Sequence, residues 1–503
     1  MNGSVISRGI AGGRLLRGLS FLLLLVLLFV SVVPLGAVTQ KKKSTHSAQS
    51  KSSKSKSKKK SHGNWRRRIH WLPGPRFNAA KRTQLVQEMN DELTDAHSGS
   101  LEYEKSLNNF FAALLNRASG EASQDGSQTV RVLQFGDSHT AADVFTGEAR
   151  RLLQEKFGNG SIGFAYAGHP FAGYRVFGAS HSATDGWATS GNHFMDLGDA
   201  RTGLGGLSIT TDRANESVTL DSPCTSLELE YLVQPGGGSI QFTDNGTLVT
   251  EIDTDGQSYE PGSFNYQCPV GDHHFAVITE SNQPVTLLGW IATKPGVTWE
   301  CLGINGAEAP LILKWDQALF SSYLKSNDPA LIVLAYGTNE AASSTWDETN
   351  YAQRFAQIVD TLHSYVPDAS ILVIGPADRA TVVHHSWRPY GGTDKIIAAQ
   401  KAVCARHNCA YWDQRERMGG FGSMMDWAGI GWAQGDHTHF TSEGYRELAD
   451  AFMLDLMSSY KEYKEHVGAK LESAGTDTVQ GKNEDREDGR KRKNTEGAQR
   501  GFR

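Results

Sequence analysis

Compact strand-forming runs, each breaking into a glycine-led polar turn and then a helical repeat, constrain this chain most. Val130–Phe135 (VRVLQF) ends at Gly136-Asp137-Ser138-His139, and apolar residues then recur at helical spacing through Phe145, Ala149, Leu152, Leu153 and Phe157. Leu331–Tyr336 (LIVLAY) ends at Gly337-Thr338-Asn339-Glu340, and Ile371–Ile374 (ILVI) repeats the texture. Helical patterns lie between and after these runs, around Tyr351–Tyr365 and Lys395–Arg406. Leu107, Phe110, Phe111, Leu114 and Leu115 predict a further amphipathic helix before the first strand. Apolar strands of this kind are buried on both faces of a parallel sheet, and strand–helix alternation implies helices on both sides. The expected fold is therefore α/β, a three-layer α/β/α sandwich.

Residues 174–299 have another texture. Alternating runs such as Leu227–Leu232, Ser239–Phe242 and Phe275–Thr279 are separated by turns, among them Pro235-Gly236-Gly237-Gly238 and Asp244-Asn245-Gly246. This predicts a β-sandwich inserted into the α/β domain, which then comprises residues 73–173 and 300–460.

The ends read differently again. Arg8, Arg14 and Arg17 precede an apolar run from Leu19 to Val38, so residues 1–39 are expected to be a signal peptide or an N-terminal membrane anchor. Residues 40–72 begin with a Lys/Ser tether too poor in apolar side chains to fold, and 461–503 reads as a disordered mixed-charge tail. The body is thus expected outside the cytoplasm, tethered at the membrane. The formal net charge of −5 conceals an acidic centre: residues 82–460 hold 22 basic against 46 acidic side chains. Such a body is a poor nucleic-acid binder, because neutralising phosphates needs clustered Lys and Arg.

Open parallel sheets carry function at the carboxyl ends of their strands. Two such loci are GDSH at 136–139 and GTNE at 337–340, and a third polar cluster, Asp436-His437-Thr438-His439-Phe440-Thr441, precedes the last helix. Together they suit acyl transfer. A serine hydroxyl is a weak nucleophile until an imidazole takes its proton, so Ser138 needs a base such as His439. Asp436, three residues before it, can turn back to orient that ring. The Asn339 amide can donate to a developing oxyanion, as can the backbone N–H groups of Ser138 and of a glycine in Gly303-Ile304-Asn305-Gly306-Ala307.

These blocks resemble the SGNH (GDSL-type) hydrolase superfamily: Ser138 in FGDSHT, Gly306 in GINGA, Asn339 in YGTNE, and Asp436 with His439 in DHTHFTSEGY. The resemblance covers about 125–172 and 300–455, departing from the commonest form at His139, where leucine often follows the serine. The long β insertion and the GINGA block look like the peptidoglycan O-acetylesterase branch, in which a carbohydrate-binding-like module interrupts the catalytic domain. The resemblance implies an exported serine esterase that removes O-acetyl groups from a polysaccharide, with Ser138, His439 and Asp436 as triad. Ser138, Gly306 and Asn339 would form the oxyanion hole, with Gly303 the alternative to Gly306. No cofactor or metal is expected. A polysaccharide O-acetyltransferase using the same triad, and a non-catalytic tethered glycan-binding protein, are the rival readings.

Other residues carry blander expectations. Cys404 with Cys409, and Cys224 with Cys268, are candidate disulfides or buried thiols, leaving Cys301 alone. The His273-His274 and His384-His385 pairs lack a metal-binding motif around them. Trp187, Trp290 and Trp299 are candidates for sugar stacking or for core.

Overall fold

The computed structural model describes residues 77–94, 100–120, 129–191 and 200–469. The leader, the whole of the Lys/Ser segment 40–72 and the tail from residue 470 lie outside these. Among the described residues no helix is long and apolar enough to cross a membrane.

The strand-like runs form a parallel sheet. Its spatial order is Gly296–Gly303, Thr129–Gly136, Leu331–Ala335, Ser370–Ile374 and Ala410–Trp412, with Leu101–Glu102 antiparallel at the far edge. In chain order the parallel strands read second, first, third, fourth, fifth. Connections leave the first strand to one side and the third to the other, which opens a crevice at their carboxyl ends.

Alternation along each strand feeds two cores. Leu133, Phe135, Ile332, Leu334, Ile371 and Val373 pack on one side with helices Gln317–Asn327, Glu348–Tyr365 and Asp394–Cys404. Val132, Leu331, Val333, Leu372, Ile374 and Trp412 pack on the other with helices Asn108–Ser119, Phe145–Phe157 and 442–469. The architecture is the three-layer α/β/α sandwich.

The insertion is one nine-stranded sheet bent back on itself. Its spine is the pairing of two long strands, Ser217–Val233 and Glu260–Thr279. Phe242 lies 5.1 Å from Phe264 and 6.5 Å from Trp290, ring centre to ring centre, so the two halves face each other as a sandwich. The β-rich region starts ahead of residue 174, because Gly163–Ala165 already pairs with Val285–Thr293. It also ends early: Gly296–Gly303 (GVTWECLG) is the second parallel strand and not part of the insertion. Glu300 disguises that strand as half-exposed. It is fully buried, because Arg131 on the neighbouring strand meets it through two hydrogen bonds of 2.8 and 2.7 Å. The Phe164 N–H donates to the same carboxylate, stapling the insertion to the parallel sheet, and one continuous apolar core spans both.

Further expectations change. The boundary at 461 falls inside a helix that continues to residue 469, where Tyr463 packs 5.7 Å from Phe111. All five cysteines are buried free thiols, with the Cys224 and Cys268 sulfurs 3.5 Å apart. Trp290 and Trp299 are core residues and offer no face to a sugar; Trp187 packs partly against the same core. His273 binds Asp244 and the Pro269 carbonyl, and among the described residues no cluster suited to a metal ion occurs.

The C-terminal helix is locked by a buried ion pair, Arg417 Nε to Asp455 Oδ2 at 3.1 Å, with the Trp412 indole N–H donating to the same oxygen. Removing one partner strands the other charge in the core, which costs about 3–5 kcal/mol. Asp455→Ala is expected to lose that much in urea unfolding, with the slope unchanged.

Candidate active site

Ser138 opens a short helix, Ser138–Ala141, directly after the first parallel strand. Asp137 caps it by accepting the His139 N–H at 2.9 Å, which turns the serine out at the rim. Asn339 follows the third strand on the neighbouring rim, where Ala335 is in register with Gly136. His439 arrives from the segment before the last helix, and its Nε2 lies 2.8 Å from Ser138 Oγ.

The local fold at Asp436 explains the short spacing. His437 adopts a left-handed conformation (φ 52°) that reverses the chain. Asp436 Oδ1 then accepts the Thr438 and His439 N–H groups at 3.1 and 3.0 Å. Its Oδ2 lies 2.7 Å from His439 Nδ1. Serine, imidazole and carboxylate therefore form one hydrogen-bonded line. Burial pushes the Asp436 carboxyl up, but the bonds and charge from His439 outweigh it and hold the group at about 2. Burial likewise pushes His439 down, and Asp436 outweighs it, so the imidazole pKa is raised.

His139 stacks on the His439 ring, 5.1 Å between centres, and shares a 3.0 Å hydrogen bond with the Tyr445 hydroxyl. Burial, then the nearby charge of His439, depress its pKa to about 3. It is a neutral wall beside the His439 ring. His437 is buried and stacked 4.0 Å from Trp387, away from the serine–imidazole line.

The two glycines of GINGA divide their roles. A Cβ on Gly303 would fall 2.2 Å from the Ala141 backbone nitrogen, so its bareness lets the strand pack against the serine helix. Gly306 has φ +76° and open space around it. Neither the Ser138 nor the Gly306 amide has a hydrogen-bond partner among the described residues. Asn339 Nδ2 donates to the Ala307 carbonyl at 2.9 Å, which ties it to the same loop. Glu340, which the motif reading left without a role, accepts the Ala309 N–H at 2.8 Å from the core and pins that loop's far end. Burial raises its pKa to about 8. Only the glutamate's place directly after Asn339 hinted at this. Arg379 donates to the Thr338 carbonyl at 3.0 Å and adds a positive charge near the site. Nothing in its sequence surroundings marked it.

The GDSL-like Lipase/Acylhydrolase family model matches residues 279–447. That span holds Gly306, Asn339, Asp436 and His439, while the insertion separates it from Ser138. A solved peptidoglycan O-acetylesterase structure is similar at 26% identity and a TM-score of 0.62, covering 72% of this chain and all of that one. A family two carbohydrate esterase from Cellvibrio japonicus aligns at 14% identity with a TM-score of 0.19, covering 47% of this chain and 87% of that one. A search of curated proteins returns no match. The resemblance read from the motifs thus extends to the fold.

Two predictions separate these parts. Gly303→Ala is expected to lower the melting temperature and abolish activity, whereas Gly306→Ala carries only the strain of a left-handed alanine, about 1–2 kcal/mol. Thermal melts of both decide it. A hydrolase using this line needs neutral His439, so kcat/KM should rise with pH through a midpoint above the ordinary imidazole value of about 6.5. Asp436→Asn removes the charge that raises it. The midpoint should then fall, with kcat reduced about 10⁴-fold.

Proposed function

We propose that the chain is a serine esterase that removes O-acetyl groups from an extracytoplasmic polysaccharide, probe-wise best represented by acetylated peptidoglycan. The observation that carries this reading is the Ser138–His439–Asp436 hydrogen-bonded line, with the Ser138 and Gly306 amides free of hydrogen-bond partners among the described residues. The similarity to a peptidoglycan O-acetylesterase supports the substrate class, and the apolar leader supports an exported protein anchored by its N-terminal segment.

In the proposed reaction His439 Nε2 takes the Ser138 proton as Oγ attacks the ester carbonyl. The carbonyl oxygen becomes an oxyanion held by the Ser138 and Gly306 amides and by the Asn339 amide, whose second hydrogen turns to it from a long 3.5 Å contact with Asp137 Oδ2. Asp436 stabilises the imidazolium without taking its proton. The tetrahedral intermediate collapses, the C–O bond to the sugar breaks, and His439 protonates the departing hydroxyl. Water, deprotonated by His439, then attacks the acetyl carbonyl; the bond to Ser138 Oγ breaks, His439 returns the proton to Oγ, and acetate leaves. Oriented donors waiting at the oxyanion position contribute about 10²–10³ in rate each.

Turnover of p-nitrophenyl acetate and release of free acetate from acetylated peptidoglycan test the reading. Ser138→Ala and His439→Ala should each lose at least about 10³-fold in kcat, and Asn339→Ala about 10²-fold. Rates like those of the parent in either triad variant would falsify the assignment.

A further inference from the structure

Residues 379–390 lie outside the motif blocks, yet they touch both halves of the site. Ala380–Val383 pairs with Ser386–Pro389 as a two-stranded sheet of its own. Its turn is the exposed His384-His385 pair, both left-handed at φ 47° and 64°, the conformation that a two-residue hairpin turn demands. An isolated two-stranded ribbon is marginally stable in water, so this one depends on what its root and faces pack against. Asp378, at the root, is buried and accepts the Gly422 and Met424 N–H groups at 3.1 and 2.9 Å.

On the base side, the Ala380 N–H donates to the His437 carbonyl at 2.9 Å, and the Trp387 ring stacks on the His437 imidazole, 4.0 Å between centres and 25° between planes. His437 is the left-handed residue that folds Asp436 back onto His439, so the hairpin holds that reversal by both backbone and side chain. On the oxyanion side, Arg379 donates to the Thr338 carbonyl at 3.0 Å and the Tyr390 hydroxyl to the Ala341 carbonyl at 2.8 Å. Those carbonyls belong to Thr338–Ala342, the short helix that carries Asn339. Five residues are too few for a helix to sustain itself, so its orientation comes from bonds made outside it. The Arg379 guanidinium lies 5.1 Å from the Tyr390 ring centre, and the Tyr390 N–H donates to the Arg379 carbonyl at 3.0 Å, which makes the two residues one support.

We propose that the hairpin is a clasp that fixes the Asn339 amide and the Asp436–His439 turn relative to each other, with Arg379, Tyr390 and Trp387 as positioning residues. The inference deepens the esterase reading and rests on it for its kinetic arm alone. Tyr390→Phe removes one neutral hydrogen bond and should lower kcat on p-nitrophenyl acetate about two- to tenfold, with KM unchanged. Arg379→Gln should do likewise on the high-pH plateau. In an Asn339→Ala background both losses should vanish, which a general loss of stability would not bring about. NMR titration reads the base side without turnover. His439 is faced by Asp436, Asp137, His139 and Arg379; burial lowers its pKa and the bond to Asp436 raises it. Trp387→Ala should bring the His439 midpoint down towards the ordinary imidazole value of about 6.5, and Trp387→Phe, which keeps an aromatic face, should restore most of the difference. Unchanged kcat in Tyr390→Phe or Arg379→Gln, equal losses with and without Asn339, or a wild-type His439 midpoint in Trp387→Ala each overturns the clasp. Failure of the esterase reading shows separately, as absent acetate release while the His439 midpoint still responds to Trp387→Ala.

Discussion

The parallel pairing of Thr129–Gly136 with Leu331–Ala335 is the constraint on which the rest depends. With Gly136 beside Ala335, the turns that carry Ser138 and Asn339 leave the sheet at the same level. The strand Gly296–Gly303, paired on the other side, brings the Gly306 loop to that rim. Both faces of the sheet are covered by apolar side chains, so the strands have no freedom to slip without exposing core. The site inherits its geometry from that rigidity.

Charge is distributed so that one group is suited to act as base. Three imidazole and carboxyl groups close to Ser138 are pushed in different directions by their surroundings. Asp436 is held ionised at about 2, the buried Asp137 carboxyl is raised to about 6, and His139 is kept neutral by a depression to about 3. His439 alone is raised from the ordinary imidazole value, because its bond to Asp436 outweighs the burial that would lower it. Environment, and not residue type, separates the two histidines: one faces a carboxylate, the other a tyrosine hydroxyl and the first ring.

The insertion is part of the same body as the hydrolase-like sheet. Glu300 accepts bonds from Arg131 on one strand and Phe164 on another, and joins the two sheets through a buried charge. The segment between Gly163–Ala165 and the rest of the β region carries Arg175, which reaches back to Ala142 and becomes a wall of the cavity beside Ser138. The region that separates Ser138 from His439 in sequence thereby shapes the pocket that both line.

Strand–helix alternation, the glycine-led turns and the residues Ser138, Asn339, Asp436 and His439 were legible in the sequence, because periodicity and turn chemistry act between near neighbours. The helices around 145–157 and 351–365 and the strand 410–412 follow for the same reason. The strand 296–303 was hidden, since its Glu300 is tolerable only opposite an arginine far away in the chain. The helix past residue 461 was hidden too, since its charged pattern is held by Phe111. The different duties of Gly303 and Gly306 depend on what approaches each backbone. The stacking of His139 and the placement of Arg175 likewise required the folded chain. A buried charge, a bare glycine or a stacked imidazole takes its meaning from the group that long-range pairing sets against it, and local sequence does not encode that neighbour.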